Sequence, residues 1–206
     1  MQIIAIVSQK GGSGKTTTAV GLAVEAATAG RRVAVVDLDP QATAANWGDR
    51  REDKESPAVV SCQSSRLRQV LEVAEGQGVE LAIIDTPGKS SEAAIAAAKA
   101  ADRVLIPIQP HLFDIETLDS VREILAIAGL PPAYLVINRA PVQGRRHEDA
   151  KVGLESMGYQ LVPVVIYQRA AHGDAANLGK TAREYDPHGK AAEEMRQLYS
   201  YIVSVL

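Results

Sequence analysis

Apolar residues in this chain gather into short unbroken runs rather than alternating with polar ones. Ile3-Ile4-Ala5-Ile6-Val7, Arg32 to Asp37, Leu81 to Asp85, Arg103 to Pro107 and Ala133 to Arg139 each read as a strand covered on both faces, the pattern of a parallel sheet. Ala58 to Cys62 reads as a short edge strand. Leu161 to Ile166 reads as a final strand, with Pro163 pointing to an edge or a bulge. Between the runs lie helical stretches. Thr16 to Ala29 is rich in Ala, Val and Leu and is followed by Gly30 as a C-cap. Ser65 to Ala74 places apolar residues at 67, 70, 71 and 74, one helix face. Ser91 to Ala101 is alanine-rich, and Asp114 to Ala128 is amphipathic, with Asp114 as a cap and Gly129 and Pro131-Pro132 as the stop. Further helices end near Met157 and run from about Gly189 to Val203. Asn46 to Glu55, with Trp47 and seven charges, reads as a short helix and a solvated loop; Gln143 to His147 reads as a polar loop. Strand and helix alternate throughout, which predicts an α/β fold: a mostly parallel sheet flanked by helices on both faces, one domain over 1–206.

The first strand runs into Gln9-Lys10-Gly11-Gly12-Ser13-Gly14-Lys15-Thr16-Thr17. Glycines accept φ > 0, so successive N–H groups can turn inward as a nest for phosphate oxygens at a helix N-terminus. Gly11, Gly12, Ser13, Gly14 and Thr17 would form that cradle. Lys15 would reach the β- and γ-phosphates, and Thr16 would complete the shell of a Mg²⁺ ion. The first glycine of the usual phosphate-loop pattern is absent: position 9 is Gln, and the glycines crowd into 11, 12 and 14.

Three carboxylates end apolar runs at what would be one sheet edge. Asp37 and Asp39, two apart, project to the same face if both keep strand geometry. Asp37 has two readings, a support of the metal shell or a cap of the following turn. Asp85 would act on Mg²⁺ through a water, and Thr86-Pro87-Gly88 is placed as a hinge sensing the γ-phosphate.

Composition narrows the setting. With 22 basic and 25 acidic residues no whole-molecule field favours nucleic acid or anionic lipid, so any DNA contact must be a local patch. Cys62 is the only cysteine, which excludes an intrachain disulfide or an all-cysteine metal site. No basic segment and apolar core precede the first strand, and nowhere are there 18 uninterrupted apolar residues; the expectation is a soluble, cytoplasmic protein.

Lys10 to Thr17, Asp37-Leu38-Asp39-Pro40-Gln41 and Ile83-Ile84-Asp85-Thr86-Pro87 together resemble the deviant Walker A ATPases, the P-loop family that includes the partition ATPase ParA and the division regulator MinD. The resemblance runs over nearly the whole chain. It implies a Mg²⁺-dependent ATP hydrolase, weak until a partner stimulates it. It implies that Asp39 orients the attacking water and that Asn138 contacts the base, with Arg139 either stacked on the base or turned to solvent. It also implies that Lys10 crosses a two-fold interface to the partner's phosphates, giving an ATP-sandwich homodimer reset by hydrolysis.

Within the family the chain looks closest to the small plasmid-type ParA proteins lacking a helix-turn-helix ahead of the P-loop. Expected partners are non-specific DNA, with nucleoid association, and a ParB-like adaptor or cargo-linked protein. Arg169, Lys180, Arg183 and Lys190 are the proposed DNA contacts; ordinary surface charge is the competing reading, since nine Lys/Arg and eight Asp/Glu follow from Arg139 onward. Membrane binding of the MinD kind is disfavoured because Met195 to Leu206 carries one cation. Two alternatives stay open: positioning of a protein cargo such as chemoreceptor clusters or carboxysomes, and a P-loop small-molecule ligase of the dethiobiotin synthetase kind.

Overall fold

The computed structural model of the protein describes residues 1–111, 115 and 117–206. Six strands form one sheet: β1 (Gln2–Ile6), β2 (Val33–Asp37), β3 (Ala58–Ser61), β4 (Leu81–Asp85), β5 (Arg103–Ile108) and β6 (Ala133–Ile137). Their order is β3-β2-β4-β1-β5-β6 and every pairing is parallel. Parallel neighbours need crossovers, and the helices supply them on both faces.

The helices are α1 (Lys15–Thr28), α2 (Thr43–Asp49), α3 (Leu67–Gly76, entered by a 3₁₀ turn), α4 (Ser91–Ala100), α5 (Leu118–Ile127), α6 (Arg146–Ser156), α7 (Ala170–Asn177), α8 (Ala182–Tyr185) and α9 (Lys190–Val205). Because side chains alternate along a strand, β1 sends Ile4 and Ile6 to one face and Ala5 to the other. The first face packs with Leu22 of α1, Trp47 of α2 and Leu198 and Ile202 of α9. The second packs with Leu71 of α3, the alanines of α4 and Val121 of α5. The unbroken apolar runs therefore reflect burial on both sides. The parallel register places Asp85 level with Ile6 on one side and Asp37 on the other, at the carboxyl edge.

Two expectations are corrected. Leu161 to Ile166 is not a strand among the described residues. It runs beside β6, but the contacts are single: Val162 N–H donates to the Leu135 carbonyl and Ile166 N–H to the Ile137 carbonyl, both at 2.9 Å, so four residues of this segment span two of β6 and the ladder is lost in the bulge around Pro163. The polar loop after β6 is shorter than expected, since Arg146 and His147 already belong to α6. Asp114, expected to cap the fifth helix, lies outside the described residues.

Candidate functional site

The loop between β1 and α1 turns through two left-handed glycines, Gly12 at φ +77° and Gly14 at φ +89°. Gly14 ends against the Asn138 side chain so closely that a Cβ would fall on its amide. Asn138, at the end of β6, is buried; its Nδ2 donates to the Ser13 carbonyl at 2.8 Å and lies 3.5 Å from the Thr18 hydroxyl, and its Oδ1 accepts from the Arg139 N–H. Asn138 thus holds the loop from behind. Arg139, itself at φ +51°, donates to the Gly12 carbonyl at 2.7 Å, and Gln109 donates to the same oxygen at 2.9 Å. Gln109 was not singled out from the sequence, although the rule that found Asp37 and Asp85 points to it: a polar residue just past the carboxyl end of an apolar strand.

Lys15 is buried, and its Nζ donates to the Lys10 carbonyl at 3.0 Å. Burial pushes its ammonium below the usual lysine range, while the charges of Asp85 and Asp39 pull the other way. Lys10 itself is half-exposed ahead of the glycines.

The Thr16 hydroxyl donates to Asp85 Oδ2 at 2.6 Å. Burial raises the Asp85 carboxyl to about 7, and the Asp37 charge adds to that; the Thr16 hydrogen bond and the Lys15 charge oppose it. Its other oxygen is buried with no hydrogen-bond partner, as are Ser13 Oγ and Gln9 Nε2 beside the same loop. Buried polar atoms are ordinarily satisfied, so this cluster marks a place built for a ligand.

Asp37 is fully buried, and its two oxygens accept three backbone N–H groups: Asp39 at 2.9 Å, Ala44 at 2.9 Å and Ala45 at 3.1 Å. It anchors the loop that carries Asp39 and caps the start of α2. Asp39 is half-exposed, with Oδ1 accepting from the Gln41 N–H, and it faces the cleft that Lys15, Thr16 and Gly88 line. That cleft measures about 910 Å³. Thr86 is anchored to the Ile6 carbonyl at 2.7 Å, while the Gly88 backbone lies on that of Gly11, where a Cβ would stand 3.0 Å from the Gly11 nitrogen. A second recess of about 690 Å³ opens on the other side of α1, between Gly14, Asn138 and Arg139 and the segment Tyr167 to Arg169.

The expected DNA residues are not all together. Lys180 and Arg183 line one small cavity, and Lys190 is exposed at the start of α9. Arg169 is half-buried in a two-pronged ion pair with Glu194, at 2.8 and 2.6 Å. No group of three or more His, Cys, Asp and Glu suited to a metal occurs among the described residues.

A parallel sheet with a glycine nest, a buried lysine and a threonine–aspartate pair at its carboxyl edge defines a P-loop nucleotide-binding domain. The chain belongs to the CobQ/CobB/MinD/ParA family of nucleotide-binding domains, whose model matches residues 4–182. It is 30% identical over 207 residues to the maintenance of carboxysome distribution protein A of Gloeobacter kilaueensis, covering 100% of this chain and 94% of that one. It is 28% identical to the chromosome-partitioning ATPase Soj of Thermus thermophilus, covering 98% and 95%. Among solved structures, the MinD cell division ATPase of Pyrococcus furiosus superposes with a TM-score of 0.78 at 25% identity, covering 100% of this chain and 99% of the other. MinD of Pyrococcus horikoshii with Mg-ADP shares the fold, with a TM-score of 0.79 at 22% identity, covering 99% and 96%. No described helix is long and apolar enough to cross a membrane.

Proposed function

We propose that this protein is a ParA-type ATPase that forms an ATP-sandwich dimer, binds DNA non-specifically and moves a plasmid or chromosome, with hydrolysis resetting the dimer. The observation that carries the reading is Lys10 standing directly before a nest whose own Lys15 is already committed to the site. Lys15 serves the loop, and the half-exposed Lys10, five residues earlier, is the lysine assigned to phosphates presented by a second subunit.

ATP binding follows from the geometry. The loop N–H groups and Lys15 hold the β- and γ-phosphates; Lys15 exchanges the Lys10 carbonyl for phosphate oxygen. The base enters the recess beside Asn138 and Arg139, with Asn138 bracing the loop and Arg139 swinging from Gly12 toward the base. Thr16 and the unpartnered oxygen of Asp85 form an oxygen-only donor set that fits Mg²⁺, and Asp37 supports them through the loop it anchors. The bound ion would neutralise charge on the transferred phosphoryl group. Asp39, at the mouth of the cleft, orients water in line with the γ-phosphate. Arg169 is committed to Glu194, so DNA phosphates would fall chiefly to Lys180, Arg183 and Lys190.

The test is binding to random-sequence duplex DNA with ATP, with ADP and without nucleotide, at low and at raised salt. Binding with ATP alone, lost as salt rises, supports the DNA-linked switch. No binding in any state removes that part of the proposal.

A second reading is positioning of a protein cargo through a cargo-linked partner. It is favoured by the end-to-end likeness to the carboxysome distribution protein. Both readings place the protein in the cytoplasm, on the nucleoid, with an adaptor of ParB-like role. Co-purification of the partner encoded beside this chain separates them.

A further inference from the structure

Next to the phosphate cleft, α1, α2 and the α7–α9 segment enclose a small cavity of about 110 Å³. Its floor is apolar: Val20, Ala176, Ala182 and Met195 line it, and the Trp47 ring forms a wall. Trp47 is fixed there, with its indole N–H donating to the Lys180 carbonyl at 3.0 Å and Arg51 lying 4.7 Å above its ring.

The charges around this cavity are all of one sign. Arg50, Lys180 and Arg183 line it, and no Asp or Glu does. Five other arginines pair closely with acids: Arg51 with Glu184, Arg68 with Glu72, Arg145 with Glu148, Arg169 with Glu194 and Arg196 with Glu193. Arg50, Lys180 and Arg183 have no side-chain ion pair or hydrogen bond among the described residues; the Glu25 charge acts on Arg183 only through space. His172 completes the lining. Its Nε2 is buried without a partner, and burial pushes the imidazole below its ordinary range, so the neutral ring presents one unspent hydrogen-bonding nitrogen.

We infer that this cavity is a binding site for a small organic anion, a carboxylate with an apolar body of a few carbons. The body would lie on Trp47, Val20 and Met195, and the carboxylate would meet the guanidinium of Arg50 or Arg183, with His172 donating where it carries its proton on Nε2. A duplex backbone is too wide to enter between helices and would reach only the exposed ends of the three cations. The cavity adjoins the nucleotide site: it shares Thr16, Thr17 and Thr43 with the phosphate cleft, and Thr17, His172, Ala176 and Met195 with the recess beside Asn138. Occupancy therefore changes nucleotide affinity, and nucleotide changes occupancy by the same factor. The inference does not rest on the partition reading.

Trp47 is the only tryptophan, so its fluorescence reports this cavity. The experiment titrates the nucleotide-free full chain with butyrate at constant ionic strength, with butylammonium as the control. The expected result is a saturable change with butyrate alone, an apparent Kd raised about tenfold in Arg183→Gln or Arg50→Gln, consistent with loss of one charge-assisted hydrogen bond, and an unchanged response in Lys15→Ala. Three outcomes overturn the proposal: a linear or charge-independent response, a response kept in both arginine variants, or one lost in Lys15→Ala, which would put the anion in the P-loop. A change produced by duplex DNA and not by butyrate also overturns it, giving these cations to a polyanion.

Discussion

The Thr16 hydroxyl donates to the Asp85 carboxylate at 2.6 Å, joining the first turn of α1 to the end of β4 across 69 residues of sequence. The second Asp85 oxygen is buried and unpartnered, so the pair is complete only with a further donor or a cation. Thr16→Ala should weaken nucleotide binding in the presence of Mg²⁺ about tenfold or more, on the scale of losing one oxygen around a bound metal. Thr16→Ser should restore it. Titration with a fluorescent ADP analogue, with Mg²⁺ and with chelator, checks this: with chelator present the three proteins should converge.

Asn138 braces the P-loop, and its removal should be felt without ligand. Asn138→Ala leaves the Ser13 carbonyl without its donor and should cost about 1–3 kcal/mol. A fall in Tm of about 2–4 °C for each of those is expected for a chain of this size. Gly14→Ala should be worse for function, because it meets both the Asn138 amide and a φ of +89°. The double variant Gly14→Ala/Asn138→Ala relieves the collision but keeps the backbone strain. Its nucleotide affinity should stay below that of Asn138→Ala alone, which calorimetry measures.

The two loop lysines should separate in their effects. Lys15→Ala should abolish nucleotide binding, whereas Lys10→Ala should bind ATP and lose ATP-dependent dimerisation. Sedimentation with ATP and Mg²⁺ reads both, and a Lys10→Ala chain that dimerised normally would rule out the sandwich.

Glu25 sits in the buried middle of α1 with one oxygen unpartnered. Burial raises its carboxyl; Arg183 of α8 and Arg196 of α9 oppose that, and Glu193 of α9 reinforces it. A raised acid favours its protonated form in the folded protein, so its contribution is complete below the ordinary carboxylate range and is lost as pH rises from there through the raised value. Glu25→Gln should therefore raise Tm at pH 8 by about 2–4 °C, the equivalent of roughly 1 kcal/mol, and the gain should shrink toward pH 4. Thermal melts of both proteins across that range decide it.

Elements built from unbroken apolar runs were legible in the sequence because burial on both faces leaves an unambiguous signature. Leu161 to Ile166 carries the same signature and is not a strand, since four of its residues span two of β6 and the register is lost around Pro163. Helices α7 and α8 went unseen. They are short, carry small residues, and owe their order to tertiary contacts: α8 is held by a Thr181–Glu184 capping box whose Glu184 also takes Arg51 at 2.9 Å. The Gly-rich loop, Asp39 and Asp85 were readable from spacing, and so was the choice that Asp37 faced. What spacing could not carry was the support behind the loop. The bonds from Asn138, Gln109 and Arg139 are made to main-chain carbonyls, which leave no trace in residue types.

The meeting of Gly11 and Gly88 has a mechanical consequence. The approach is one-sided: a Cβ on Gly88 would stand 3.0 Å from the Gly11 nitrogen, whereas one on Gly11 would meet open space, so it is the loop after Asp85 that must stay bare where it passes the phosphate loop. Anything larger than hydrogen at position 88 would have to displace the Gly11 main chain, because no flexible side chain stands there to yield. Thr86 is pinned to the Ile6 carbonyl, and Lys89 and Ser90 lead from this contact into α4. A side chain at position 88 would thus reach the phosphate cradle from outside the Gly-Lys motif, which makes Gly88 part of that cradle's wall.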